Sequence, residues 1–146
     1  MIKPSRLGHV VIRVRDLERS EQFYTQVLGL EVSNRAGDVM VFFRSNPDVD
    51  HDLAIMKIGA DAPPPEPDRV GLYHFAYELG SLDELKEAYR VVREHGVPVA
   101  GFGDHGAAKG LYILDPDGIE IELYIQAPEY EEESLAELLI GAGAAV

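Results

Sequence analysis

The fold is decided by the stretch LGHVVIRVRDLERSEQFY (Leu7–Tyr24), which recurs 65 residues later as LYHFAYELGSLDELKEAY (Leu72–Tyr89). The shift places His9 on His74. In both copies apolar residues first alternate along the chain and then recur every three or four positions. This pattern predicts a β-strand followed by an amphipathic helix. The sequence therefore predicts one structural unit that is repeated.

Both predicted helices have recognisable ends. Asp16 and Ser81 stand at the N-cap positions, and Glu84 completes a capping-box pattern that the first copy lacks. Gly29 and Gly96 stand where a helix ends in the left-handed conformation. These residues predict that each helix is followed by a turn back towards the sheet.

Three further strands are predicted after each helix. They are Leu30–Asn34, Val39–Arg44 and Leu53–Ile58 in the first half, and Val97–Gly101, Gly110–Leu114 and Ile119–Ile125 in the second. Turn sequences at Pro47-Asp48 and at Asp115-Pro116-Asp117-Gly118 take matching positions. We therefore expect an α+β fold of two tandem βαβββ modules that form an open, curved mixed sheet around a candidate site.

A proline-rich segment separates the two copies. GADAPPPEPDR (Gly59–Arg69) is unsuited to a helix or a central strand. The predicted organisation is a single domain with module one at residues 5–58, a linker at 59–70, module two at 71–127 and a tail at 128–146. The tail contains an acidic segment, Glu129–Glu133, a short predicted helix, Leu135–Ile140, and a glycine-alanine end.

The composition argues against several classes of protein. A formal net charge of −13 over 146 residues disfavours nucleic-acid partners and anionic membranes, because both need clustered Lys and Arg. The chain contains no cysteine, so a metal would be bound through nitrogen and oxygen. No apolar run approaches the roughly 20 residues of a membrane span, and the N-terminal residues lack the apolar core of a signal peptide. We expect a cytoplasmic protein.

Histidine and carboxylate side chains are predicted on one face of the sheet. His9 and His74 point away from the helices at equivalent positions of the two copies. In the final strand the apolar residues must face the helices, which leaves Glu120 and Glu122 on the other face as equal candidates. Two histidines and one carboxylate form the facial triad of non-haem Fe(II) chemistry, although Mn(II) also fits such ligands.

The chain resembles the vicinal oxygen chelate superfamily, which includes glyoxalases, bleomycin-resistance proteins and extradiol dioxygenases. The resemblance spans roughly residues 5 to 127 and is carried by LGHVVIRVRDLERSEQFYTQVLGLEV, GLYHFAYEL and LDPDGIEIELY. In such proteins the metal ligands stand at the positions of His9, His74 and Glu122. The DPDGxxIE motif thus selects Glu122 over Glu120.

Three activities of the superfamily are less favoured. Glyoxalase-type members carry a fourth glutamate ligand on the strand matched by Leu53–Ile58, which contains no carboxylate, imidazole or amide here. Fosfomycin-resistance-type transferases, which use Mn(II), call for a cationic pocket, for which only Lys57 and Lys109 are obvious candidates. A metal-free, bleomycin-type binding protein is less favoured because three residues of the kinds that bind metals stand in register.

Single-domain type I extradiol dioxygenases, which cleave catechols with Fe(II), match best. His51 looks like their acid–base histidine and Tyr112 like their second-shell tyrosine, although His51 also suits a solvated turn and Tyr112 ordinary packing. His105, in a glycine-rich segment, is either a substrate contact or a mobile loop residue. His95 ends a helix and suits a structural role. The resemblance implies that His51 takes a proton from the substrate hydroxyl and later returns one.

The same resemblance implies a small aromatic substrate and O2 as the reaction partners. Proteins of this superfamily often pair chains, and the acidic-then-apolar tail, Glu129–Val146, could pack across a two-fold interface. We therefore expect a homodimer.

Overall fold

The structure, a computed structural model, describes residues 1–140 and divides the chain into two compact units. The first unit ends at Pro64 and the second begins at Pro65. Each contains a four-stranded mixed sheet with a helix, so the predicted α+β fold is confirmed. The single-domain assignment and its limits stay predictions. The glycine-alanine end of the tail, residues 141–146, lies outside the described residues.

The first unit follows the predicted βαβββ order. It consists of β1 (Val10–Val14), α1 (Leu17–Gln22), β2 (Glu31–Ala36), β3 (Met40–Arg44) and β4 (Leu53–Lys57). The strand order in the sheet is β1-β4-β3-β2, with β1 parallel to β4 and the other pairs antiparallel. Because β1 and β4 are parallel neighbours, both strands begin at the same edge of the sheet.

The first helix differs from the prediction of one regular helix. Asp16 caps it as expected, because its carboxylate accepts a hydrogen bond from the backbone N–H of Arg19 at 3.0 Å. After α1, however, the chain continues as a π-helical turn over Phe23–Val27, in which the N–H of Leu28 donates to the carbonyl of Phe23 at 3.3 Å. Gly29 then adopts a φ of 69°, as predicted for the helix end.

The second unit repeats this order and adds a short C-terminal helix. Its elements are β5 (His74–Glu78), α2 (Leu82–Glu94), β6 (Val99–His105), β7 (Ala108–Leu114), β8 (Glu120–Gln126), a 3-10 turn (Pro128–Tyr130) and α3 (Leu135–Leu139). The strand order is β5-β8-β7-β6, with β5 parallel to β8. Ser81 caps α2 as predicted, and Gly96 ends it with a φ of 65°.

Strand β8 shows the predicted alternation. Ile121, Leu123 and Ile125 are buried, whereas Glu120 and Glu122 are half-buried on the other face. The apolar alternation predicted for the strand of the second copy is only partly present. Tyr73 precedes β5 and is 77% exposed.

The C-terminal helix is attached to the sheet by a buried cation. Lys109, 1% exposed, donates to a carboxylate oxygen of Asp104 at 2.6 Å, and the other oxygen accepts from the N–H of Leu135 at 2.8 Å. Leu138 and Leu139 are buried as well. The expectation that the tail packs across a two-fold interface stays a prediction. No helix in residues 1–140 is long and apolar enough to cross a bilayer.

Candidate metal centre

Two of the predicted ligands lie together in the second unit. Because β5 and β8 are parallel neighbours, His74 pairs with Glu120 and Ala76 pairs with Glu122. The imidazole of His74 therefore lies between two carboxylates on one face of the sheet. Its Nδ1 is 3.3 Å from Oε2 of Glu120, and its Nε2 is 3.6 Å from Oε2 of Glu122.

The His74–Glu122 pair fits a shared divalent ion. At 3.6 Å the two atoms are too far apart for a good N–H···O hydrogen bond. Ligand atoms roughly 2.1 Å from one ion, at angles between a right angle and the trigonal one, are about 3.0 to 3.6 Å apart. Both side chains are also partly accessible, at 26% and 21%. The donor set, imidazole nitrogen and carboxylate oxygen, suits Fe(II) and Mn(II) equally.

Tyr112 adds a phenol to this pair. It lies directly opposite Glu122 on the antiparallel strand β7, and its ring centroid is 5.4 Å from that of His74. Burial raises the pKa of Tyr112, and the hydrogen bond to the carboxylate of Glu122 raises it further. The phenol therefore stays protonated at ordinary pH and is a hydrogen-bond donor inside the site.

The side of the His74 ring that faces Glu120 is shielded from solvent. Nδ1 of His74 and Oε2 of Glu120 are both shielded from solvent, and neither has a hydrogen-bond partner among the described residues. An ion held between these two atoms would have no open position for a substrate. The choice of Glu122 over Glu120 as a ligand stays a prediction.

His9 and His51 lie together in the first unit. Their ring centroids are 4.6 Å apart, because His9 immediately precedes β1 and His51 stands two residues before the neighbouring strand β4. The Nδ1 atom of His51 is 2.7 Å from Oδ2 of Asp50, and Phe42 packs against the same ring at 5.1 Å. Asp50 thus engages one ring nitrogen of His51, and the acid–base role of His51 stays a prediction.

The remaining histidines lie apart from these pairs. His95 follows α2, where its Nδ1 is 3.0 Å from the carbonyl oxygen of Val91, as a structural role predicts. His105 is the last residue of β6, is exposed, and precedes the turn at Gly106. Its role as a substrate contact stays a prediction.

Within residues 1–140, no three His, Cys, Asp or Glu side chains form a group arranged to hold a metal ion. The three-ligand site of His9, His74 and Glu122 therefore stays a prediction. The structure describes its imidazole–carboxylate pair in one unit and its other imidazole in the other.

One residue of the site escaped the sequence analysis. A Cβ atom on Gly103, in β6, would lie 3.2 Å from the phenol oxygen of Tyr112. The tyrosine ring thus occupies the space that a side chain at Gly103 would take. Nothing in the local sequence indicates this, because the contact depends on the pairing of β6 with β7.

The sequence profile of the Glyoxalase/Bleomycin resistance protein/Dioxygenase superfamily matches residues 6–123. The chain belongs to this superfamily. The predicted resemblance to vicinal oxygen chelate proteins is therefore confirmed. The fold agrees too: the glyoxylase/bleomycin resistance protein/dioxygenase domain from Frankia sp. EAN1pec superimposes with a TM-score of 0.72, at 22% identity, over 85% of this chain and 99% of that one.

Relatives within the superfamily differ in their activities. Catechol-2,3-dioxygenase of Bacillus subtilis is 36% identical over 125 residues, which are 85% of this chain but 42% of that protein. Biphenyl-2,3-diol 1,2-dioxygenase 3 of Rhodococcus globerulus is 32% identical, over 88% of this chain and 67% of that one. Lactoylglutathione lyase of Escherichia coli O157:H7 is 34% identical, over 81% and 90%. The chain thus spans less than half the length of the first of these relatives.

Proposed function

We propose that this protein is an Fe(II)-dependent extradiol ring-cleavage dioxygenase that acts on a catechol-type aromatic substrate. The observation that carries the proposal is the arrangement of His74 and Glu122, which face each other without a hydrogen bond while Tyr112 donates to the carboxylate. His9 completes the proposed ligand set. The similarity to two ring-cleaving dioxygenases supports the same reaction class.

The internal repeat argues against a lyase of the lactoylglutathione type. In the second unit the residue paired with Ala76, two positions after His74, is Glu122. In the first unit the residue paired with Val11, two positions after His9, is Ala54. The position at which the repeat would place a second carboxylate ligand therefore carries a methyl group, and the basic glutamate of a glyoxalase-type proton shuttle is missing.

The two lysines considered for the cationic pocket of a fosfomycin-resistance-type transferase have other surroundings. Lys109 is buried on the helix side of β7 and donates to Asp104. Lys57 lies at the end of β4, 3.9 Å from the carboxylate of Asp38. Neither ammonium group shares the sheet face of His74 and Glu122.

The proposed mechanism assigns a separate task to each residue. His9, His74 and Glu122 would hold Fe(II), and the bound ion would lower the pKa of a catechol hydroxyl and bring the catechol and O2 together. Tyr112 keeps its proton and donates a hydrogen bond to the carboxylate of Glu122.

His51 is the proposed acid–base residue. The carboxylate of Asp50 favours a proton on Nδ1, which leaves Nε2 of His51 as the base that accepts the proton of a substrate hydroxyl. The same atom would return a proton later in the reaction. Fe(II) rather than Mn(II), a homodimer and a cytoplasmic location are parts of this proposal.

The test is anaerobic loading with Fe(II), followed by a panel of catechols and then air. We expect O2 consumption and a yellow ring-opened product with at least one catechol. Formation of lactoylglutathione is measured in parallel on protein loaded with Fe(II), Mn(II) or no metal. Lyase activity without ring cleavage would overturn the proposal, and so would the absence of product across the catechol panel.

A further inference from the structure

Two buried polar atoms in the second unit face each other without a hydrogen bond. Nδ1 of His74 and Oε2 of Glu120 are shielded from solvent and are 3.3 Å apart. A buried donor or acceptor that lacks a partner destabilises the fold, so such atoms are rarely left unpaired in a folded protein. One atom is a potential donor and the other an acceptor, so each is the natural partner of the other.

The strand register keeps this contact in place. His74 and Glu120 are direct neighbours on the parallel strands β5 and β8, so their side chains leave the sheet on the same face at the same height. The Glu120 side chain is 19% exposed, and its Oε2 atom is shielded from solvent.

We propose that Glu120 is a positioning residue that accepts a hydrogen bond from Nδ1 of His74 and so leaves Nε2 without a proton, facing Glu122. This inference rests on the proposed metal centre. A carboxylate behind a histidine ligand fixes both the tautomer and the orientation of the ring. Two glutamates two residues apart on β8 thus have different tasks: Glu122 binds the ion and Glu120 holds the imidazole that binds it.

Two variants test the role of Glu120. Glu120→Ala removes the acceptor, whereas Glu120→Gln removes the charge but keeps an oxygen that accepts the same hydrogen bond. Glu78→Gln is the control, because it removes one carboxylate charge from the same sheet, on β5 four residues after His74. The first readout is the population of the Nδ1–H tautomer of His74, measured by ¹⁵N NMR on the metal-free protein above pH 8. The second is the affinity for Mn(II), measured by calorimetry.

We expect Glu120→Ala to reduce the Nδ1–H population and to weaken Mn(II) binding by about 10- to 100-fold. Glu120→Gln should stay within about fivefold of the wild type, and Glu78→Gln within about twofold. The proposal is overturned if Glu120→Ala leaves the tautomer unchanged, or if Glu120→Gln loses as much affinity as Glu120→Ala. A wild-type protein that binds no Mn(II) would refute the metal centre instead, and the tautomer measurement would still decide the role of Glu120.

Discussion

The phenol of Tyr112 donates a hydrogen bond to the carboxylate of Glu122 directly across the antiparallel pair of strands β7 and β8. The phenol of Tyr112 thus helps to orient the carboxylate of Glu122. Since an ionised carboxylate has several acceptor positions, Glu122 can accept this bond and still bind an ion.

Replacement of Tyr112 by phenylalanine should separate ion binding from turnover. Tyr112→Phe keeps the ring that packs against His74 but removes the donor. We expect the affinity for Fe(II) to change by less than about threefold and kcat for catechol cleavage to fall about tenfold, the equivalent of one lost hydrogen bond.

The matched control is Tyr124→Phe. Tyr124 is a tyrosine of β8 that bonds to Glu78, and burial raises its pKa as it does that of Tyr112. Equal losses of kcat in Tyr112→Phe and Tyr124→Phe would show that the phenol of Tyr112 has no special role.

Gly103 should control the position of the Tyr112 ring. A Cβ at Gly103 would lie 3.2 Å from the phenol oxygen and 3.3 Å from Cε2, so Gly103→Ala must displace the ring by a few tenths of an ångström. We expect catechol turnover to fall severalfold while the melting temperature changes little. Gly101→Ala is the control, since its Cβ would lie 3.9 Å from the same ring, an ordinary contact. Turnover that is unchanged in Gly103→Ala would contradict the account.

His51 should be needed for proton transfer and not for ion binding. His51→Ala removes the imidazole that contacts Asp50 and the ring of His9. We expect Fe(II) to be retained and kcat to fall by a factor of at least about 100, the usual contribution of a general acid–base residue. His95→Ala should leave kcat unchanged, because His95 lies at a helix end. Loss of Fe(II) from the His51 variant would identify it as a ligand instead.

The Lys109–Asp104 pair should stabilise the second unit in a pH-dependent way. The hydrogen bond from Lys109 and that from the N–H of Leu135 lower the pKa of Asp104. A carboxyl group with a lowered pKa stabilises the fold above its unfolded pKa, near 4, and this stability is lost as pH falls through the lowered value.

Asp104→Ala leaves the ammonium of Lys109 buried without its carboxylate, and we expect a loss of about 2–4 kcal/mol at pH 7. Urea unfolding from pH 7 down to pH 3 measures this loss. The free energy of unfolding should fall less steeply with decreasing pH in the variant than in the wild type. Asp68→Ala, at an exposed position of the proline-rich segment, should change neither quantity. A variant with the stability of the wild type at pH 7 would contradict the role of the pair.

The repeat made much of the fold predictable. The alignment of His9 with His74 indicated two βαβββ units, and the caps at Asp16 and Ser81 form as expected. Alternation along β8 separated Glu120 and Glu122 from the apolar residues. These features are local, so they can be inferred from spacing alone.

Other features depend on which strands become neighbours. The contact of His9 with His51 follows from the pairing of β1 with β4, and the contact of Gly103 with Tyr112 follows from that of β6 with β7. The π-helical turn after α1 was not indicated by the spacing of the apolar residues, and it contains the fully buried Tyr24. Sequence spacing does not specify such partners.

The most direct measurement is the binding of Fe(II), under anaerobic conditions, to the wild type and to His9→Ala, His74→Ala and Glu122→Ala. The account predicts one ion per chain in the wild type and a loss of affinity of at least about tenfold in each variant, with Val11→Ala unchanged as the control on β1. A wild type that binds no ion would contradict it, as would a Glu122→Ala variant that binds Fe(II) as tightly as the wild type.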